Sequence, residues 1–281
     1  MKPRFITAAA ILAVAIVMLI FSDTLFLPLL MGACAVCAVF ELLRCVGIAK
    51  RLALTIPAYV IAFALPIGAF FVEDLYFYFL LCSIVCFVFM FYMFFLAVFH
   101  KGAIRVQDIA LAYIFVSYVS ISFSNVVLVR NVEASGMYFF ILIFVIAWIT
   151  DVFAYIVGSL FGKHKLIPSV SPKKSVEGAI GGIVGAMLGC AVVAFVMQMV
   201  SDLEPNYVMF LLVGFVGAVI SQLGDLIASL VKREYAIKDY SNLLPGHGGI
   251  MDRFDSIIPV ATVVLLFAML QGPFALIALP V

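Results

Sequence analysis

Charged side chains are scarce in this sequence of 281 residues. Asp, Glu, Lys and Arg make up 11% of it and hydrophobic residues 67%, against about 25% and about 45–50% in an average soluble chain. This composition excludes a soluble globular enzyme and argues against a disordered or nucleic-acid-binding protein. At about 20 residues per membrane-spanning helix, nine spans leave about 100 residues for all ends and connections. We therefore expect no separate soluble domain.

The six cysteines offer no pair in a loop, since five lie inside apolar runs and Cys45 lies just beyond one. Cys34 and Cys37 have the CxxC spacing that can indicate zinc or redox chemistry. Here the spacing falls within an apolar run, without a second ligand pair nearby. Because a free cysteine behaves as a small hydrophobic residue, packing is the preferred interpretation of this pair.

Apolar runs between charged breaks predict nine spans. They lie at about 5–21, 25–40, 52–72, 75–99, 106–129, 136–161, 179–200, 207–230 and 254–272. The first run follows two basic residues, as in a signal peptide, but no small-residue cleavage site follows it, so we expect a retained helix. The first two runs are short for a bilayer, and a tilted hairpin or a partly re-entrant segment is an alternative for them.

Basic residues are concentrated in alternate connections, and such connections remain on the cytoplasmic side of a membrane. Of the sixteen, fifteen lie at the N-terminus or in the 2–3, 4–5, 6–7 and 8–9 connections: Lys2, Arg4, Arg44, Lys50, Arg51, Lys101, Arg105, Lys163, Lys165, Lys173, Lys174, Lys232, Arg233, Lys238 and Arg253. The opposite connections contain only Arg130. The sequence predicts an all-α polytopic membrane protein with about nine transmembrane helices, its N-terminus cytoplasmic and its C-terminus outside.

Polar residues inside spans begin to appear after residue 147. We interpret residues 1–135, with spans one to five, as helices for packing, lipid access or dimer contact. Residues 136–281, with spans six to nine and loops at 162–178 and 231–253, are the predicted catalytic membrane region. No sequence repeat is evident, which weakens the interpretation as a transporter built from inverted repeats.

The sixth span contains Asp151, followed by Tyr155, Gly158 and Gly162 at steps that place all four on one helical face. One interpretation is an acid satisfied by a neighbouring helix, with glycines for close packing. A functional role is preferred, because an ionisable group inside a span costs about 2.5–3.5 kcal/mol or more.

The next connection carries Ser171, Lys173 and Lys174, whose hydrogen-bond donors suit phosphate oxygens. The lysines could equally be retained cytoplasmic charges. Small-residue spacing then predicts that the seventh span packs tightly against a neighbour. The glycines concerned are Gly178, Gly181, Gly182, Gly185 and Gly189.

The eighth span ends with Ser221, Asp225, Ser229 and Lys232, which form one stripe on the helix. Such a stripe can line a polar cavity with a deep carboxylate and a shallow lysine. The alternative is that Asp225 is a structural charge paired with a lysine.

The densest cluster of polar residues follows the eighth span. It contains Lys232, Arg233, Lys238, Asp239, Pro245, Gly246, His247, Gly248, Gly249, Asp252, Arg253 and Asp255. Asp252 and Asp255 are three residues apart, so we expect both on one face at the start of the ninth span. They would suit Mg²⁺, which takes one or two protein carboxylates and completes its shell with water and phosphates. The glycines allow close backbone approach to a ligand, and His247 is interpreted as a phosphate contact.

Residue type and spacing thus predict a membrane-embedded site for a multiply phosphorylated substrate, at the cytoplasmic ends of spans six to nine. The same connection resembles the signature of the phosphatidate cytidylyltransferases (CDP-diacylglycerol synthases). The matching residues are Ser229, Lys232, Arg233, Lys238, Asp239, Ser241, Leu244, Pro245, His247, Gly248, Gly249, Ile250, Asp252, Arg253, Phe254 and Asp255. Two weaker stretches, at Asp151 to Tyr155 and Ser171 to Lys174, are also similar to the family. Ser175 stands where the family more often has threonine.

The resemblance implies the reaction of CTP with phosphatidic acid to give CDP-diacylglycerol and pyrophosphate. It also implies a requirement for Mg²⁺, one or two ions, and commonly a homodimer. A compact chain of this kind favours a prokaryotic plasma membrane, with no nucleic-acid partner. On this basis Asp225, Asp252 and Asp255 are the predicted metal ligands, and Asp151 is a further candidate.

Other roles follow from the same resemblance. The predicted catalytic residues are Asp225, Asp252 and Asp255 together with the cations Lys232, Arg233, His247 and Arg253. The predicted substrate-binding residues are Asp151, Tyr155, Ser171, Lys173, Lys174, Ser229, Lys238, Asp239, Gly248 and Gly249. Three alternatives stay open: another CTP-dependent lipid enzyme, such as a polyprenol kinase or an archaeal-lipid cytidylyltransferase; an ion-coupled transporter; and an inactive membrane scaffold.

Overall fold

A computed structural model of the chain describes residues 2–99 and 104–278, without the side chains of residues 2–6 and 8. Lys101 and the side chains of Lys2 and Arg4, which contribute to the charge count above, lie outside the described part. The described residues are mostly helical, with 76% of them in helices. This agrees with the predicted all-α membrane protein.

Ten α-helices run through the described residues. They are α1 (Lys2–Ile20), α2 (Phe26–Cys45), α3 (Leu52–Phe71), α4 (Leu75–Phe99), α5 (Val106–Arg130), α6 (Gly136–Phe161), α7 (Val176–Val200), α8 (Tyr207–Glu234), α9 (Met251–Phe254) and α10 (Ile257–Ala268). Of these, α2 to α8 are long and apolar enough to cross a membrane, and Ala9–Ile20 and Ile257–Ala268 are shorter apolar helices. With 20 residues, α2 extends past the predicted second run, because the helix continues through Glu41 and Arg44.

Two short antiparallel pairs of strands lie in the connections. The first joins β1 (Lys165–Ile167) to β2 (Ser171–Ser175), with Ile167 in register with Ser171. The second joins β3 (Glu204–Pro205) to β4 (Ile277–Ala278). The sequence analysis did not predict either pair.

The ninth span differs from its prediction. It is interrupted between α9, which ends at Phe254, and α10, which begins at Ile257. Pro259 explains the break, because proline lacks an N–H and its ring clashes with the carbonyl of the residue four positions earlier in a helix, here Asp255. Asp252 and Asp255 therefore do not lie on one face of a continuous helix. The Asp255 carbonyl instead lies against Gly224 of α8, where a Cβ atom would collide with it.

The helices form two compact units. The first comprises Met1–Leu128 and Tyr235–Arg253, and the second comprises Val129–Glu234 and Phe254–Val281. Residues 235–253, placed in the C-terminal region by the sequence analysis, thus pack with the N-terminal helices. In the first unit α2 packs on α3, and α3 on α4; in the second, α6 packs on α7, α7 on α8, and α8 on α10. All six cysteines are free thiols.

Tight packing of the seventh predicted span is confirmed in the second unit. At each of the five glycines named above, a Cβ atom would lie no more than 3.0 Å from an atom of α6. At Gly182 that atom is the backbone carbonyl oxygen of Thr150, at 2.8 Å, and at Gly185 it belongs to the Phe153 ring. These glycines let the two helix backbones approach closely, as small residues do between membrane helices.

We expect Gly182→Ala to lower the thermal stability of the detergent-solubilised protein by about 1–3 kcal/mol, because the added methyl group must push α7 away from a rigid carbonyl. The matched control is Gly68→Ala in α3, where nothing lies within 4 Å of the added carbon. The control should be neutral or slightly stabilising, because alanine favours a helix over glycine. The midpoint of heat-induced loss of the monodisperse chromatography peak measures both. Equal midpoints for the two variants would contradict the packing role.

Candidate active site

Two residues of the predicted polar stripe on α8, Asp225 and Ser229, belong to a connected set of side chains in the second unit. The Ser229 hydroxyl donates to Asp225 Oδ1 at 3.3 Å, and Lys174 Nζ of β2 lies 2.6 Å from Asp225 Oδ2. The two charged side chains are 25% and 31% exposed, respectively. Asp225 is thus paired with a lysine, as the alternative interpretation held. Asp225 remains partly exposed, whereas the Lys174 Nζ atom itself is buried.

The β1–β2 hairpin holds Lys173 and Lys174 beside α8, and acidic and basic groups at its edges fix it. Glu177 accepts hydrogen bonds from the backbone amides of Lys163 and His164, and its Oε1 lies 2.6 Å from His164 Nδ1. At the hairpin turn, Arg233 Nε donates to the carbonyl oxygen of Val170 at 3.4 Å. Arg233 therefore connects the end of α8 to the hairpin.

A cavity of about 260 Å³ opens next to this ion pair, within the second unit. Its polar lining comprises Asp151, Tyr155, Ser159, Lys173, Lys174, Ser175 and Gln222. Asp151, Tyr155 and Gly158 all border it, which confirms their predicted common face, whereas Gly162 packs against Ser175. Ser171 lies in β2 outside the described lining. The second unit thus brings together predicted residues of the sixth span and of the hairpin.

Asp255 is a buried carboxylate of the second unit that is influenced by neighbouring charges. Asp255, which is 8% exposed, experiences the negative charges of Asp225 and Asp151 and the positive charge of Lys232. Carboxylate oxygens are the protein ligands that Mg²⁺ takes, one or two at a time. The donor type fits Mg²⁺. In the described part of the chain, no three His, Cys, Asp or Glu side chains are arranged to hold a metal ion. The ligand set Asp225, Asp252 and Asp255 therefore stays a prediction.

The first unit contains the other predicted residues, in a segment that we call the signature loop (residues 235–253). They are Lys238, Asp239, His247, Gly248, Gly249, Asp252 and Arg253. Lys238, Asp239 and Arg253 are exposed. His247 is half-buried, and its Nδ1 atom is buried without a hydrogen-bond partner among the described residues.

A tight turn presents His247. The backbone amide of His247 donates to the carbonyl oxygen of Leu244 at 2.8 Å, and Gly246 has a φ of 76°. Proline followed by a glycine of positive φ is typical of a type II turn. Leu244 N in turn donates to the carbonyl oxygen of Gly248 at 2.9 Å, closing a small bridge. The Pro-Gly-His-Gly-Gly sequence therefore forms a defined turn.

Asp252 has a structural role that the sequence analysis did not predict. Its Oδ2 atom accepts hydrogen bonds from the backbone amides of Tyr240 at 2.8 Å and Gly249 at 2.9 Å. These two hydrogen bonds connect the segment before the turn, at Tyr240, with the segment after it, at Gly249. A Cβ atom on Gly248, which has a φ of 86°, would lie 2.8 Å from the same Asp252 oxygen. Glycine is therefore required at this position both for its conformation and for the space it leaves.

One buried acid, Glu41 of α2, was not among the residues predicted from the sequence. It is 2% exposed, and it accepts hydrogen bonds from Ser241 and from the backbone amides of Ile250 and Met251. The available signal was an acid directly after the second apolar run. Its partners lie about 200 positions away in the chain, so no local pattern could identify them.

Comparison with known proteins identifies the family of this chain. A sequence model of the cytidylyltransferase family matches residues 2–271. The chain belongs to the cytidylyltransferase family. It is 41% identical over 169 residues to a protein of Staphylococcus epidermidis named phosphatidate cytidylyltransferase, a match that covers 59% of this chain and 62% of that relative.

Further relatives in the cytidylyltransferase family carry the same name. One from Staphylococcus haemolyticus is 39% identical over 170 residues, which is 59% of this chain and 62% of the relative. One from Bacillus subtilis is 41% identical over 141 residues, which is 50% of this chain and 51% of the relative. The chain thus spans about half to three fifths of the length of these curated relatives.

We expect Gly248→Ala to loosen the signature loop, because the methyl group displaces the Asp252 carboxylate and strains a backbone of positive φ. The matched control is Gly47→Ala, whose φ of 80° imposes similar strain but whose added carbon has no atom within 4 Å. Tryptic cleavage after the exposed Lys238 and Arg253 should become about threefold faster or more in Gly248→Ala only, since open forms are the ones cleaved. The same cleavage rate in both variants would mean that the contact with Asp252 does not hold the loop.

Proposed function

We propose that this protein transfers the cytidylyl group of CTP to phosphatidic acid, giving CDP-diacylglycerol and pyrophosphate for phospholipid biosynthesis. Family membership and the name of the relatives support the reaction type. The observation that carries the proposal is the Lys174–Asp225 pair at 2.6 Å beside a polar cavity among apolar helices. Such a site offers a positively charged group to a phosphate. It lies among apolar helices, which the acyl chains of a lipid can contact.

In this reaction an oxygen of the phosphatidic acid phosphate attacks the α-phosphorus of CTP. The new P–O bond forms as the bond from the α-phosphorus to the bridging oxygen breaks, and pyrophosphate leaves with that electron pair. A phosphomonoester has a second pKa of about 6, so the attacking group is already largely dianionic at pH 7. No general base is needed. Catalysis consists of positioning and of neutralising the charge of two anions.

The cations of the second unit fit that task. Lys173 and Lys174 border the cavity, and Arg233 is held at the hairpin by its bond to Val170. We propose that Lys174 exchanges Asp225 for a substrate phosphate oxygen, while Lys173 and Arg233 contact further oxygens. Because the lysine is already placed by its ion pair, little reorganisation is required when the substrate arrives.

Asp225 and Asp255 are the residues we propose to hold Mg²⁺, which would supply charge neutralisation on the phosphates. Asp252 and Asp151 are further candidates from the sequence. Within the signature loop, His247, Lys238 and Arg253 carry the donors that we assign to phosphate oxygens, with Gly248 and Gly249 allowing close backbone approach.

We also propose the finer membrane arrangement. Nine segments would cross the bilayer, with Ala9–Ile20 and Ile257–Ala268 as the two shorter ones. The distribution of basic residues supports a cytoplasmic N-terminus, an outside C-terminus and an active site on the cytoplasmic side. The bacterial relatives support a plasma-membrane location. A homodimer is proposed on the resemblance alone.

The first test is pyrophosphate release by the purified protein in detergent, with CTP, phosphatidic acid and Mg²⁺, omitting each component in turn. We expect release only when all three are present, together with a CDP-lipid product. Consumption of CTP only with a polyprenol, giving CDP, would replace the proposal with a lipid kinase. Absence of turnover with any lipid, together with ion flux in vesicles, would support a transporter instead.

The second test removes the charge of Asp225. We expect Asp225→Asn to lower kcat by about 100-fold or more, since both the ion pair and a metal ligand are lost while the shape is kept. Asp202→Asn is the control, because Asp202 is an exposed acid in the α7–α8 connection. Its turnover should equal that of the unaltered protein. Normal turnover of a folded Asp225→Asn protein at saturating Mg²⁺ would reject the proposed role.

A further inference from the structure

A carboxylate on α2 contacts three donors of the signature loop, all within the first unit. Glu41 Oε1 accepts from the Ser241 hydroxyl at 2.5 Å and from the backbone amide of Ile250 at 3.0 Å. Its Oε2 accepts from the backbone amide of Met251 at 2.8 Å. Both oxygens are thus used, and the donors come from two separate stretches of the loop.

The loop is shaped around this carboxylate. A Cβ atom on Gly249 would lie within 2.5 Å of both Glu41 oxygens, so the backbone passes directly over the acid. Ser241 bonds to Glu41 and also accepts a hydrogen bond from the backbone amide of Leu243 at 3.2 Å. The contact with Glu41 therefore holds the chain both before the turn, at Ser241, and after it, at Ile250.

The same stretch carries the groups assigned to the substrate. Gly249 and Ile250 connect His247 to Asp252, and the Gly249 amide is itself bonded to Asp252 at 2.9 Å. If the loop backbone at residues 249–251 moves away from the Glu41 carboxylate, the Asp252 carboxylate and the turn before it must therefore move as well. A second anchor acts on that turn, because the Thr7 hydroxyl of α1 donates to the Pro245 carbonyl oxygen at 3.0 Å.

We propose that Glu41 is a positioning residue for the reaction, which holds the signature loop in its working conformation from within α2. The predicted effect of Glu41 on the reaction rate rests on the proposed function. Glu41 does not touch the substrate in this proposal; it acts through Ser241 and the backbone at residues 249–251. Burial of the acid suits this task, because in an environment of low polarity hydrogen bonds to a carboxylate are strong and meet no competition from water.

The kinetic test compares Glu41→Gln with Asp108→Asn. In the glutamine variant an NH₂ group must face one of the loop donors, so at least one bond is lost. Losing a buried hydrogen bond to a charged group predicts a fall in kcat of about 10- to 100-fold, with a change in KM for CTP of less than about threefold. Asp108 is the control: it is an acid of the first unit that pairs with Arg51 at 2.8 Å. Asp108→Asn should keep the normal kcat.

Two further variants separate positioning from folding. Glu41→Asp keeps the charge and should recover at least about a third of the lost kcat, whereas a purely steric role would make it no better than glutamine. Ser241→Ala removes one donor only and should lower kcat by about threefold or more. A purified Glu41→Gln protein with normal kcat and only a lower yield or melting temperature would overturn the proposal.

Hydrogen exchange tests the contact without any turnover. In the full-length protein in detergent, the amides of Ile250 and Met251 should be protected, and Glu41→Gln should increase exchange in peptides covering residues 240–252 by about tenfold or more. Peptides from α4 should not change. Unchanged exchange in the loop would overturn the inference even if the enzyme is active. Loss of protection in a protein that never uses CTP would instead show that the proposed function, and not the contact, had failed.

Discussion

Acids placed on apolar helices dominate the polar architecture of both units. A carboxylate in such surroundings is expensive unless hydrogen bonds or an opposite charge satisfy it. In the first unit Glu41 takes three donors from the signature loop. In the second, Asp225 takes a lysine from the hairpin and a serine from its own helix. In both cases the partners come at least partly from a connecting segment. The helix acids therefore fix the conformation of the connections, where the proposed chemistry takes place.

Glycine serves this architecture in two different ways. Between α6 and α7 its small size lets a bare backbone face a carbonyl, as at Gly182 and Thr150. In the signature loop, Gly248 supplies a positive φ, and Gly249 leaves room for a carboxylate directly over the chain. The first use brings helices together around the cavity; the second lets the backbone wrap an acid. Both make the arrangement rigid before any ligand binds, which is what catalysis by positioning requires.

The sequence predicts much of the fold, because hydropathy and helical periodicity are local properties. The long spans, the glycine face of α7 and the common face of Asp151 and Tyr155 all followed from such patterns. The break before α10 was readable from Pro259 but was missed, and Asp252 and Asp255 were wrongly given one helix face. The β1–β2 hairpin and the Glu41 contact depend on pairing between separate segments. Neither composition nor spacing encodes such pairings, and this is why the particular lysine that pairs with Asp225 was not identified and the partners of Glu41 were not foreseen.

Residues 1–135 were expected to provide packing, lipid access or dimer contact. Contacts of these residues with the signature loop add another role, since α1 and α2 each hold that loop by a side chain, Thr7 and Glu41. An anchor inside a helix of this kind differs from one on the surface. Water does not compete for its acceptors, and moving the loop would leave a buried carboxylate without donors. That penalty makes displacement of the loop unfavourable. It explains how a glycine-rich segment, flexible by composition, can present His247 and Asp252 in a single arrangement.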